Sequence, residues 1–226
     1  MRILLFCDDQ YHPGEIPQKG VQPLIDKGYR IDIITDTTDF DPDIIFEYDV
    51  IIMSKSDHIS QTNPIPWKTQ SVQAAFVRYV EAGGGFIVSH SGTVRGDNTS
   101  TLDELIGCYF VSHPSPSHIT VGPLKPHPIT KGVEMFCEDD EHYHLKIIKD
   151  DIDILVSSYS APVGNPDKYK TEPYENYPAY MAPAFYTRTQ EKGRVCVFTP
   201  GHTIEMWLNK NYQRLLENTI LWCAKQ

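Results

Sequence analysis

Short apolar runs separated by polar, turn-rich stretches set the rhythm of this chain. Ile3 to Cys7 is uniformly apolar and stops at Asp8-Asp9, the pattern of a strand buried on both faces. A loop carrying Tyr11-His12-Pro13-Gly14 precedes a helical stretch that reaches Lys27-Gly28, where Gly28 suits the position just past a helix end. Strands are predicted at Arg30–Thr35 and Tyr48–Met53, the latter running into the polar Ser54-Lys55-Ser56-Asp57-His58. Val72, Phe76, Val77 and Val80 recur at helical spacing between about Thr69 and Ala82, and Gly83-Gly84-Gly85 stops that helix. Phe86 to Ser89 follows as a fourth strand.

Strand alternating with helix over the first ninety or so residues implies right-handed βαβ units and a doubly wound parallel α/β sheet. The rhythm then changes. Residues 108–186 are rich in Pro, His, Tyr and Asp, with short strands predicted at Ile119–Val121, Ile152–Ser157 and Tyr180–Tyr186. The Pro-, Tyr- and Asn-rich stretch 161–178 reads as a long surface excursion, a kind of loop that is often functional. Arg194–Thr199 returns as a buried strand, and Trp207–Ala224 closes the chain as one helix with Leu208, Tyr212, Leu215, Leu216, Ile220 and Trp222 along an apolar stripe. No repeat or domain boundary interrupts this order, so residues 1–226 are expected to form a single domain.

The composition excludes some functions. A formal net charge of −10 argues against nucleic acid or an anionic membrane as the main partner, since both need a basic footprint. No segment approaches the run of about 20 apolar residues that spans a bilayer. The five cysteines, Cys7, Cys108, Cys137, Cys196 and Cys223, are scattered and form no CxxC pair. That usage suits reduced thiols and a reducing compartment. A cytoplasmic location is therefore expected, and a homo-oligomer is compatible with it.

Four constellations carry candidate chemistry. Gly83-Gly84-Gly85-Phe86-Ile87-Val88-Ser89-His90-Ser91-Gly92 drives a buried strand straight into a tight turn, the shape of a nucleophile elbow with His90 at the position usually held by Ser or Cys. Arg194 to Glu205 delivers His202 at the end of another buried strand, with Glu205 three residues on. Open α/β sheets bind ligands at that carboxyl edge, so the two histidines can share one cleft. Cys137 to His144 clusters carboxylates and imidazoles. In extended chain, Glu141, Tyr143 and Leu145 share one face and Asp140, His142 and His144 the other. Ser112-His113-Pro114 and Pro126-His127-Pro128 hold histidine beside proline. Each feature also has a plain structural explanation: strand-end hydrogen bonding for His90, a surface turn for His202, solvation for the acidic run, and backbone rigidity for the prolines.

These blocks together resemble the ThuA-like (trehalose utilisation) family, a branch of the class I glutamine amidotransferase-like superfamily. The resemblance rests on YDVIIM at 48–53, AFVRYVEAGGGFIVSHSG at 75–92, LIGCYFVSHP at 105–114, HPITKGV at 127–133, DDEHYH at 139–144, GRVCVFTPGHTIEMW at 193–207 and NTILWCA at 218–224. It implies a flavodoxin-like fold, mainly parallel, with helices on both faces. Amidotransferase relatives carry a nucleophilic Cys at the elbow. His90 stands there in this chain, as is usual for the ThuA-like family, and without a thiolate no thioester can form, so glutaminase chemistry is not expected. The Asp140-Glu141-x-Tyr143 block and His113 match family positions as well.

The family is associated with catabolism of trehalose and related disaccharides, including 3-keto sugars. The resemblance thus points to a small-molecule sugar substrate, with His90, His202, Asp140 and Glu141 as acid/base groups. Tyr143, His113, Ser91 and Trp207 would contact substrate, Trp207 and the tyrosines of 159–186 as aromatic platforms. Imidazoles with one carboxylate also suit Zn²⁺, with His90, Glu141 and His202 as the ligand set and His113 as a fourth. The alternative is a non-catalytic sugar-binding or regulatory module on the same scaffold. A redox or peptidase role for Cys7 or Ser91 lacks a motif-placed base.

Overall fold

The computed structural model describes residues 1–161, 163–164, 176–177 and 180–225. Strands β1 (Arg2–Cys7), β2 (Arg30–Ile34), β3 (Val50–Ser54) and β4 (Gly85–Ser89) alternate with helices α1 (Glu15–Asp26) and α2 (Gln70–Glu81). Helix α3 (Ser100–Ile106) leads into β5 (Cys108–Ser112), β6 (Ser117–Pro123), β7 (Phe136–Asp140), β8 (His144–Ile147) and β9 (Asp153–Ser160). The short pair β10 (Val163–Gly164) and β11 (Asn176–Tyr177) precedes β12 (Tyr180–Gln190), β13 (Gly193–Phe198), α4 (Ile204–Leu208) and α5 (Lys210–Cys223).

Nine strands form one sheet in the order β2-β1-β3-β4-β13-β12-β9-β6-β7. The first five pair in parallel, and β13 turns back through antiparallel β12 to β9, β6 and β7. The parallel half is the doubly wound sheet expected from the strand–helix alternation. Its inner strands β1, β3, β4 and β13 are buried on both faces because each supplies two cores, while β2 is a largely exposed edge. Ile3, Leu5 and Cys7 of β1 join Ile52, Ile87, Cys196 and Phe198 beneath α1, α4 and α5. Leu4 and Phe6 join Ile51, Met53, Phe86, Val88 and Val197 beneath α2 and α3.

Several boundaries differ from the sequence reading. The closing helix is two helices, because Asn209 takes an extended ψ of 131° and its side chain accepts the Asn211 N–H, ending one helix and capping the next. Helix α3 escapes the periodicity because it is only seven residues long; Gly107, at φ 89°, terminates it. The strands β7 and β8 lie among polar residues, and β5 (Cys108-Tyr109-Phe110-Val111-Ser112) is a further strand outside the sequence reading. The 161–178 excursion lies mostly outside the described residues.

Candidate functional site

Four strand ends converge above the carboxyl edge of the sheet. At the end of β4 the chain turns through His90, whose φ of 46° is left-handed, a conformation that costs a non-glycine residue about 1–2 kcal/mol. Close packing enforces the turn. A Cβ on Gly92 would lie 2.2 Å from the Met53 carbonyl oxygen, so only glycine lets the elbow press onto β3. The His90 carbonyl accepts from Thr93 Oγ1 at 2.7 Å. Its Nδ1 lies 2.8 Å from the Thr199 carbonyl. A carbonyl can only accept, so Nδ1 carries the proton and Nε2 is left as a lone-pair nitrogen.

The loop after β13 is tied to the end of β7. Asp140 is wholly buried and accepts the backbone N–H groups of Glu141 (2.7 Å), Gly201 (2.9 Å) and His202 (2.9 Å). Burial pushes its carboxyl up to about 7, against the pull of those three donors toward the ionised form. The clamp sets Glu141 and His202 side by side. Glu141 Oε2 lies 3.1 Å from His202 Nδ1, 3.3 Å from His90 Nε2 and 3.6 Å from His113 Nε2. The His90 and His202 ring centroids are 5.4 Å apart, so the two distant imidazoles meet beside Glu141. Tyr143 stacks on His90 at 3.9 Å, on the same side as Glu141, as alternation along the segment requires.

The fourth contributor, His12, was not singled out in the sequence. Its ring lies 5.1 Å from that of His90 and 5.5 Å from that of His202. Ligand atoms of His12, His90, Glu141 and His202 all lie within 4.8 Å of one another. The signal was present: β1 is a buried strand ending in Asp-Asp with a histidine three residues on, the same logic that identified His90 and His202.

Burial pushes the His90 imidazole down to about 4, so it is neutral at ordinary pH. Burial works to raise Glu141, but its contacts with His202 and His90 hold it well below the usual carboxylate range. With Nδ1 committed to the Thr199 carbonyl, His90 points Nε2 at Glu141 Oε2 from 3.3 Å. A shared proton or a cation between the two atoms stabilises such a pair. Three imidazoles and a carboxylate around one point fit a divalent first-row metal ion.

Other expected contacts fall elsewhere. Trp207 is wholly buried, with its Nε1 donating to the Gly201 carbonyl at 2.9 Å. Its ring packs where a Cβ on Gly20 of α1 would be 2.6 Å away, so it braces the His202 loop and offers no platform to a ligand. Ser91 is likewise buried within the elbow. Tyr186 points into the core and donates to the Ile106 carbonyl at 2.8 Å. His113 borders the cluster, with Nδ1 2.7 Å from the Pro114 carbonyl.

Known proteins agree with this architecture. The trehalose utilisation (ThuA) family profile matches residues 2–223. A ThuA-like protein from Bacteroides uniformis superposes with a TM-score of 0.70 at 21% identity, over 99% of this chain and 91% of its own. One from Parabacteroides merdae gives 0.71 at 16% identity, over 99% and 90%. A cytoplasmic protein from Salmonella typhimurium gives 0.61 at 15% identity, over 99% of both chains. No protein with a curated function matches the sequence. With the family profile spanning nearly every residue and the solved folds agreeing with it, the chain belongs to the ThuA (trehalose utilisation) family.

Proposed function

We propose that this chain acts on a carbohydrate, trehalose or a related disaccharide such as its 3-keto derivative, through a divalent cation held by His12, His90, Glu141 and His202. The observation that carries the reading is the convergence of ligand atoms from His12, His90, Glu141 and His202 within 4.8 Å of one another. The family's association with trehalose use supports the substrate class. Once bound, the cation would polarise a sugar oxygen or lower the pKa of a water. His90 and Glu141 hold the buried side of the site, while His202 and His12 stand at its more open side. Tyr143 lines the wall between His90 and His113 and would orient a sugar hydroxyl. Glutaminase chemistry is no part of this proposal, because the elbow offers an imidazole in place of a thiolate. A reducing, cytoplasmic setting suits the five free cysteines. Among the described residues no helix is long and apolar enough to cross a membrane.

The test is metal analysis of protein purified without a polyhistidine tag, followed by turnover assays on trehalose and keto-disaccharides with added Zn²⁺ or Co²⁺. Near-stoichiometric metal and metal-dependent turnover, both lost in His90→Ala and His202→Ala, are expected. Protein that binds no metal under any loading sinks the reading. A sugar-binding module without turnover is the second reading, favoured by the near-complete burial of His90 and Glu141, at 1% and 4% exposed. It wins if sugar binds and is never converted.

A further inference from the structure

We infer that Asp9 is the positioning residue of the cation site: it locks His12 in the tautomer that presents Nε2 and places a second buried carboxylate one imidazole away from the ion. The inference rests on the cation reading above and adds to it a residue outside the ligand set.

Asp9 lies at the end of β1 with no exposed surface. Its Oδ1 accepts the backbone N–H groups of Tyr11 (2.9 Å) and His12 (3.1 Å) and lies 2.9 Å from His12 Nδ1. Its Oδ2 accepts the Ser56 N–H at 2.9 Å. Oδ1 already accepts two backbone N–H groups, so His12 Nδ1 faces it as a third donor and carries the proton, which leaves Nε2 with its lone pair. Tyr143 Oη lies 3.3 Å from that Nε2, on the cluster side of the ring.

The arrangement parallels the one at His90, where the Thr199 carbonyl holds Nδ1, with one difference. The partner of His12 is charged and therefore also raises the basicity of the ring and contributes to neutralising a doubly charged ion. Carboxylate–histidine–metal linkages of this kind change metal affinity by about 10–100-fold when the outer partner is removed. Through Ser56, Asp9 also joins the end of β1 to the end of β3, which keeps the His12 loop from swinging away.

Isothermal titration with Co²⁺, read together with the visible d–d bands, tests this on the full chain. Asp9→Ala should weaken binding about 10–100-fold and give the same visible spectrum as His12→Ala. The double variant should bind no more weakly than His12→Ala alone, because Asp9 acts through His12. Asp9→Asn keeps an oxygen for His12 and the loop while removing the charge, and should lose about tenfold with circular dichroism unchanged. If the wild type binds Co²⁺ and Asp9→Ala binds equally well, or if the single losses multiply in the double variant, the inference is overturned and the cation reading stands. If the wild type takes up no Co²⁺, both fall together.

Discussion

Removing the Asp140 carboxylate should be among the most damaging single changes in this protein, by about 3–5 kcal/mol for Asp140→Ala, because three backbone donors lose their acceptor at about 1–3 kcal/mol each. The carboxylate accepts three backbone N–H groups at 2.7–2.9 Å. Each hydrogen bond to a charged acceptor contributes roughly 1.5–3 kcal/mol, a gross gain of about 4–9 kcal/mol. Against this stands the desolvation of a buried carboxylate, which costs several kcal/mol and shows as the upward push on its pKa to about 7. Truncation abolishes both terms but leaves three donors facing an apolar hole, which water can fill only in part. Asp140→Asn keeps the two bonds at Oδ1 while presenting an amide donor to Gly201, so its cost should be about half. Urea unfolding in the presence of a chelator measures this without linkage to metal binding. The same Asp140→Ala protein should lose Co²⁺ binding, since the clamp is what sets Glu141 beside His202. A cost below about 1 kcal/mol would refute the reasoning, because the three donors would then be finding partners elsewhere.

Three other outcomes follow from specific contacts. Burial lowers Lys68 from 10.5 to about 8, so between those values the unfolded chain holds a proton that the folded protein has released, and stability rises with pH. Relative to Lys68→Met, the wild type should gain up to about 3 kcal/mol from pH 8 to 10.5 by urea unfolding at each pH; a flat difference contradicts this. Trp207→Phe should cost about 1–3 kcal/mol, because the Gly201 carbonyl loses its indole donor; an unchanged urea midpoint would show that the bond contributes nothing. His113→Ala should keep Co²⁺ affinity well short of the 10–100-fold loss expected on removing the Asp9 support of His12, since His113 Nε2 stands 3.6 Å from Glu141 and outside the four converging groups. A loss as large as that of His12→Ala would move His113 into the ligand set.

The parallel half of the fold was legible because its inner strands are apolar on both faces and its helices carry a 3.6-residue period. β1, β3, β4 and β13 lie within a residue or two of their predicted limits. The antiparallel half was less legible for a physical reason. β7 reads Phe136-Cys137-Glu138-Asp139-Asp140, yet it is an edge strand whose outer positions face water, so its apolar signal is nearly absent. The site shows the same division. His90 and His202 were readable because each ends a buried strand. His12 was obscured by the Pro13-Gly14 that follows it, which reads as an ordinary turn. Trp207 was misread as a platform because its sequence neighbourhood cannot reveal that Gly20, far off in the chain, leaves room for the indole against α1.

Several strained or costly features meet at this site, and their coincidence argues for function more strongly than any single residue. His90 adopts a left-handed conformation, Gly92 leaves no room for a Cβ, and Asp140 and Glu141 are carboxylates buried in the interior. Each costs about one to several kcal/mol, and surrounding structure must over-determine them for the fold to persist. The over-determination is visible: Thr199 and Thr93 hold His90, the Gly201 and His202 amides hold Asp140, and Asp9 holds His12. None of these supports packs the core; all of them aim imidazole nitrogens and one carboxylate oxygen at a common point. A scaffold selected for stability alone would relax the elbow and replace the buried charges with apolar side chains at little cost. Retaining them makes physical sense if a ligand of positive charge repays the strain when it binds.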